Sequence, residues 1–295
     1  MHIKSCILVL KQTILDRGGR AAELARQGDA TARRILSSDA EQQHTIDVVQ
    51  KTLSKHRIPF TAFSARDFSA AEKRQINAAD LVITIGGDGT ALGTSHYIRN
   101  GAMLGVNSAP GDSVGHFCHT HRGNFAERLA DILAGRWQPT KLARLAVTLD
   151  DKLLPEPALN DVLIAHDCPA ATTRYLIELN GVSEEQRSSG IWVATAAGST
   201  AGIKSAGGKR MPLGSERLQY LVRELYREPQ RSYALTHGFL APHETLIVAS
   251  KMQDAHIYID GARTAYEFPF GARLRLQRAA HPLRLFIAAR ASRPQ

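Results

Sequence analysis

Leu81-Val82-Ile83-Thr84-Ile85-Gly86-Gly87-Asp88-Gly89-Thr90 decides how the rest of the chain is read. Leu81 to Ile85 is a short apolar, largely β-branched run, the pattern of a strand covered on both faces. It stops in a turn that sets three glycines around one carboxylate. Glycines there let the backbone come close to a ligand that a Cβ would hold off. Thr90 reads as the N-cap of a helix running to roughly Arg99, whose free N–H groups can face an anion. Asp88 in such a turn can orient, or take a proton from, a hydroxyl that attacks phosphorus. A plain strand–helix connection with Asp as turn former uses the same residue types.

The chain around it has 295 residues, enough for one large or two medium domains. Its hydrophobic content, 43%, is ordinary for a soluble globular protein. No stretch approaches the roughly 20 apolar residues that a membrane span needs. Met1-His2-Ile3-Lys4-Ser5-Cys6-Ile7 runs directly into an apolar strand, so no signal peptide is expected. Cys6, Cys118 and Cys168 are odd in number and widely spaced, which excludes a disulfide framework or a CxxC pair and suits a cytoplasmic location. The net charge of +9 points to acidic partners. Its Lys and Arg are scattered and aromatics are few, so phosphorylated small molecules are expected rather than nucleic acid.

In chain order, Cys6 to Leu10 reads as a strand and residues 16–37 as polar helix or loop. Asp39 to His56 carries a helical stripe, Ile46, Val49 and Leu53, with Asp39 as cap. Phe60 to Phe63 and Ala102 to Val106 read as strands, Ala70 to Ala78 as a helix, and Asn107 to Gly111 as a loop. Asn124 to Ala134 is amphipathic and ends at Gly135. This alternation predicts a parallel sheet with crossover helices, and ligands in such sheets bind outside the carboxyl ends of the strands. The pattern changes near Pro139. Strands follow at 145–149, 158–165, 175–179 and 190–195, then a helix at Ser215 to Tyr226, then strands at 245–250, 256–259, 265–268 and 283–288. Asn180-Gly181 and Asp260-Gly261 are hairpin signals. The expected division is an α/β domain over 1–139, a β-rich domain over 140–270, and a segment over 271–295 that returns to the first domain.

A second strand–turn–helix candidate runs from Ser188-Ser189-Gly190-Ile191-Trp192 through Thr195-Ala196-Ala197-Gly198-Ser199-Thr200-Ala201-Gly202 to Ser205. Its small side chains let a flat ring approach the backbone, and its hydroxyls can bond ribose or amide. On residue type alone it could equally be a surface turn.

GGDGT resembles the signature of NAD kinases, of diacylglycerol and sphingosine kinases and, loosely, of phosphofructokinases. The two turns together, with Asn160-Asp161 between them, Gly105-Val106-Asn107, Gly115-His116-Phe117 and Ile259-Asp260-Gly261, resemble the NAD kinase family from Leu81 to Asp260. The resemblance implies a Rossmann-like N-terminal domain and a β-rich C-terminal domain, of the NAD kinase/diacylglycerol kinase-like type. It implies ATP-dependent phosphorylation of the adenosine ribose 2′-hydroxyl of NAD, with Mg²⁺ carried by ATP. Asp88 would be catalytic. Gly87, Gly89 and Thr90 would admit phosphates, His116 and Phe117 would form a wall, Asn160 and Asp161 would bond the dinucleotide, and Thr200, Ala201 and Ser205 would line its ring and ribose. A homodimer or homotetramer in the cytoplasm is implied as well. The sequence departs from the family where Asn-Asp replaces Asn-Glu, Ser189 replaces an Asp, Gly202 replaces a Tyr that would offer a stacking ring, and the loop Ser108 to Val114 is longer than usual.

Other residues carry weaker signals. His116, Cys118, His119 and His121 have the spacing of a metal cluster, but pocket wall and surface is the favoured reading. His166, Asp167 and Cys168 are contiguous and diverge on a strand. Cys118 reads as a packed residue rather than a reactive thiol. Lys204, Lys209 and Arg210 could meet phosphate or simply solvent. Two other functions stay open at this point: a lipid or other small-molecule kinase built on the first motif, and a non-catalytic NAD/NADP sensor.

Overall fold

The computed structural model describes residues 3–111 and 115–287. The chain divides into two compact units, Met1–Thr140 with Leu283–Gln295, and Lys141–Pro282. The elements up to the boundary are β1 (Cys6–Leu10), α1 (Ile14–Arg17), α2 (Gly19–Arg26), α3 (Arg33–Lys55), β2 (Phe60–Ser64), α4 (Ala70–Ala78), β3 (Leu81–Gly86), α5 (Asp88–Ser95), β4 (Ala102–Asn107), β5 (Thr120–His121), α6 (Phe125–Leu133) and β6 (Thr140–Leu142). Then follow β7 (Leu145–Leu149), β8 (Lys152–Leu153), β9 (Asp161–His166), β10 (Thr173–Leu179), β11 (Val182–Ser188), β12 (Ile191–Ala194), α7 (Gly202–Ser205) and β13 (Leu218–Val222). The remainder is β14 (His237–Leu240), β15 (Leu246–Ser250), β16 (Ala255–Ile259), β17 (Thr264–Glu267), β18 (Arg273–Arg278) and β19 (Leu283–Phe286).

The first sheet has the order β2-β1-β3-β4-β19-β6, with β5 added on β4. The pairs β1–β2, β1–β3, β3–β4 and β4–β19 are all parallel. β3 and β4 are buried at every position, which is why they read as unbroken apolar runs. Leu81, Ile83 and Ile85 pack with Leu104 and Val106, with Ile46, Val49 and Leu53 of α3, and with Phe125, Leu129 and Ile132 of α6. β2 and β3 flank β1 on opposite sides. The sheet therefore switches winding direction beside the end of β3, where open α/β sheets bind their ligands.

Two helix starts differ from expectation. α3 begins at Arg33, so Asp39 lies inside the helix and is not its cap. Arg33 to Ser38 bury no side chain and so carry no periodic signal. α5 begins at Asp88 with Gly87 as N-cap and ends at Ser95, so Thr90 is a first-turn residue instead of the cap. Residues 112–114 of the loop after β4 lie outside the described residues, as does 288 of the last expected strand.

The second unit holds two six-stranded sheets, β11-β10-β15-β18-β7-β8 and β14-β13-β12-β9-β16-β17. Their inner faces share one core, including Val147, Tyr175, Val248 and Leu274 from the first and Val162, Val193, Tyr220 and Ile257 from the second. Asn180-Gly181 joins β10 to β11 as a two-residue primed turn, both residues at positive φ, and Asp260-Gly261, also at positive φ, opens the four-residue loop 260–263 between β16 and β17. The helix expected at Ser215 to Tyr226 is instead β13. Leu218, Tyr220 and Val222 alternate into the core, and that period of two outweighs the helix-forming residues around them. β18 also belongs to this unit, between β15 and β7, and the chain re-enters the first sheet only with β19. Leu274 and Leu276 are buried between exposed Arg273 and Arg275, an alternation suited to an antiparallel sheet with one wet face. Among the described residues no helix is long and apolar enough to cross a membrane.

Candidate active site

In the first unit the site grows from the last carbonyls of β3. Ile85 O accepts from Lys11 N at 2.8 Å and from the buried Gln42 Nε2 at 3.0 Å. Gly86 O accepts from Ser108 N at 3.0 Å. A Cβ on Gly86 would fall 2.6 Å from Thr90 Oγ1 and 2.8 Å from Lys11 Cβ, so only glycine lets β1, β3 and α5 close up here. The turn then starts α5 at once, which puts Asp88 in its first turn.

Both carboxylate oxygens of Asp88 are held. His116 N donates to Oδ2 at 2.9 Å, and Phe117 N donates to Oδ1 at 2.8 Å. A carboxylate offers about four acceptor positions, so the half-buried group keeps capacity for a further donor. His116 is exposed, whereas the Phe117 ring is buried, 5% accessible. Phe117, expected together with His116 in a pocket wall, meets Asp88 through its backbone N–H. Gly89 is exposed with nothing within 4 Å of where a Cβ would stand, which leaves the start of α5 open. Burial raises the Cys118 thiol far above its ordinary range, and the Asp88 charge raises it further. That thiol stays protonated, as a packed residue would. Among the described residues no three His, Cys, Asp or Glu side chains converge to hold a metal ion.

In the second unit Asn160-Asp161 and the turn 195–200 are built as one piece. Thr195 N donates to Asn160 O at 2.9 Å, and Thr195 Oγ1 donates to Leu159 O at 2.5 Å. Ser199 Oγ donates to Ala196 O at 2.7 Å and accepts from Met211 N at 2.9 Å. A Cβ on Gly198 would lie 2.0 Å from Asn160 O. From the far hairpin, Asp260 accepts from Leu159 N at 2.8 Å, Asn160 N at 2.7 Å and Asp161 N at 3.1 Å. Sequence reasoning saw only a turn at Asp260. The signal it missed was an Asp, not Asn, placed at the closing position of that hairpin with φ 51°.

Asp161 is buried, 6% accessible, and its carboxyl is pushed up to about 7, first by burial and then by the Asp260 charge. Asn160 is half-buried, Thr200 and Ser205 are exposed, and Ala201 is half-buried beside them. Lys204 Nζ folds onto Gly208 O at 3.3 Å, while Lys209 and Arg210 are exposed. His166, Asp167 and Cys168 diverge: Asp167 pairs with His256, and His166 Nδ1 accepts from Cys168 N at 3.0 Å.

The model of the ATP-NAD kinase N-terminal domain matches residues 20–137. An Arabidopsis thaliana protein named NADH kinase is 36% identical over 269 residues, 83% of this chain and 83% of its own. This chain belongs to the NAD kinase family. Among solved structures it resembles that of an NAD kinase from Archaeoglobus fulgidus in complex with ATP, at TM-score 0.69 and 18% identity over 96% of this chain and 93% of that one. It resembles yeast NADH kinase complexed with NADH at TM-score 0.68 and 15% identity, over 98% of this chain and 84% of that one. At such identities the likeness speaks for the fold, an α/β N-terminal domain followed by the β-rich C-terminal domain of NAD kinases.

Proposed function

We propose that this NAD kinase family member moves the γ-phosphoryl group of ATP to the adenosine ribose 2′-hydroxyl of NAD, giving NADP and ADP. The observation that carries the reading is the Asp88 carboxylate, aimed by two backbone N–H groups at the start of α5. A bond forms between the 2′-oxygen and the γ-phosphorus, the bond to the ADP oxygen breaks, and the hydroxyl proton passes to or past Asp88. Asp88 aligns the hydroxyl, and the small Gly87 and Gly89 leave the Asp88 and Gly89 N–H groups open to phosphate, whereas Thr90 N already donates to Gly87 O at 3.0 Å, so Thr90 would serve through its hydroxyl. Asn160, Asp161, Thr200, Ala201 and Ser205 serve the dinucleotide. Mg²⁺ arrives with ATP and neutralises charge on the transferred group.

Asp88→Asn tests the reading. It keeps the size and one acceptor oxygen but turns an amide NH₂ toward one of the two backbone N–H donors, so NAD binding, measured beside turnover, should weaken modestly while NADP formation, followed with ATP and Mg²⁺, falls by about 10²-fold or more, the scale of general acid–base contributions. Full turnover in that variant would end the assignment. NADH as the preferred acceptor is a second reading, favoured by the name of the Arabidopsis thaliana relative; competing NAD against NADH in one assay decides it. A cytoplasmic homodimer or homotetramer accords with the family and with three free cysteines, and light scattering checks the assembly.

A further inference from the structure

Gly202 closes the small-residue turn, and the space its side chain would fill is already taken. A Cβ there would stand 2.9 Å from Cζ2 and 3.1 Å from Cη2 of Trp192. Trp192 sits in β12 between Ile191 and Val193, both fully buried in the core, so its indole points to the opposite face of the sheet. Its cross-strand neighbours on that face are Leu221 and Leu163, and all three side chains are half-buried. The indole N–H has no acceptor among the described residues, yet it is not sealed away from solvent. Buried indoles normally find a partner for this group. The result is a large, half-open ring anchored on a glycine, with a free donor, next to exposed Thr200 and half-buried Ala201.

We propose that Trp192 is the ring-stacking residue of the dinucleotide site and receives a flat heteroaromatic ring of the substrate. The inference rests on the dinucleotide reading above but not on phosphoryl transfer. The exchange is local. Where a residue larger than glycine at 202 would supply bulk from the turn, this chain supplies it from β12, and a Cβ at 202 would require the indole rim to move. Nicotinamide and adenine share the flat-ring chemistry, and a fragment series separates them. Trp192 and Trp137 are the two tryptophans of the chain, so Trp137→Phe leaves Trp192 as the sole tryptophan emitter.

In that background, titration with NAD should quench emission, and nicotinamide mononucleotide and AMP, titrated separately, show which ring stacks. Trp192→Leu should weaken NAD binding about tenfold, the size of one base–aromatic stack, and raise KM more than it lowers kcat. Trp192→Phe keeps a ring and should recover most of that loss, which a purely structural residue would not show. Equal losses in both variants, no loss in either, or no quenching by NAD or by either fragment would overturn the proposal. A chain that binds NAD through Trp192 but makes no NADP would fail as a kinase and still support it.

Discussion

Replacing Asp161 by Asn should make the second unit more stable at alkaline pH and change nothing at acid pH. The unfolded carboxyl ionises near its ordinary 3.8, and the folded one near 7, because burial and the Asp260 charge both disfavour the anion. Between those values the folded chain holds a proton that the unfolded chain has lost. The stability tied to Asp161 is thus complete below the unfolded value, drains as pH rises through the window, and is gone above about 7. At about 1.4 kcal/mol per pH unit the full drain is on the order of 4 kcal/mol, and water entry would trim it to about 2–4. Asn carries no charge and escapes the loss. Urea unfolding of wild type and variant, read by Trp192 emission in the Trp137→Phe background, should give coincident midpoints at about pH 3, below the unfolded value, and a higher one for the variant at about pH 8. Comparing at equal pH cancels the carboxylates held low elsewhere, such as Asp80 on Lys4 N and Ser5 N. A gap independent of pH, or a less stable variant at pH 8, would refute the reasoning. If Asp161 also meets the dinucleotide, the KM for NAD should titrate near 7 in the wild type and lose that dependence in the variant.

Gly198→Ala should cost about 2–3 kcal/mol and most of the NADP formation, because its Cβ would strike the Asn160 backbone, which cannot give way as a side-chain tip can; an unchanged unfolding midpoint contradicts this. Gln42→Leu should be neutral or stabilising by up to about 1 kcal/mol, since it forfeits one hydrogen bond but also removes a buried Oε1 that has no partner. Ile85 O keeps its bond from Lys11 N in that variant, so a loss above about 2 kcal/mol in thermal or urea unfolding would contradict the account.

Local chemistry was legible and long-range chemistry was not. β3 and β4 announced themselves because a strand buried on both faces has no polar positions to confuse the pattern. The glycines before Asp88 and the two hairpin turns were readable because positive φ and close approach restrict residue choice at the site itself. β13 was misread as a helix because Leu218-Gln219-Tyr220-Leu221-Val222 suits either period until its neighbours β12 and β14 are known. β11 went unseen because it carries one apolar residue, the exposed Val182, and its two buried positions are the polar Gln186 and Ser188. Neither the grip of His116 N and Phe117 N on Asp88 nor that of Asp260 on 159–161 could be deduced from spacing. Backbone donors leave no mark in residue type.

β19 is the last described strand, yet it is the partner that β4 needs on its far side. A ribosome that has made the first 140 residues has therefore made a sheet with an open flank, and must synthesise the whole β-rich unit before the missing piece emerges. Until then β5 covers only Val106 and Asn107, and β4 offers unpaired N–H and C=O groups over Ala102 to Leu104, a template for neighbouring chains. A fragment ending at residue 140 should aggregate, and supplying 283–287 through a short linker should cure it.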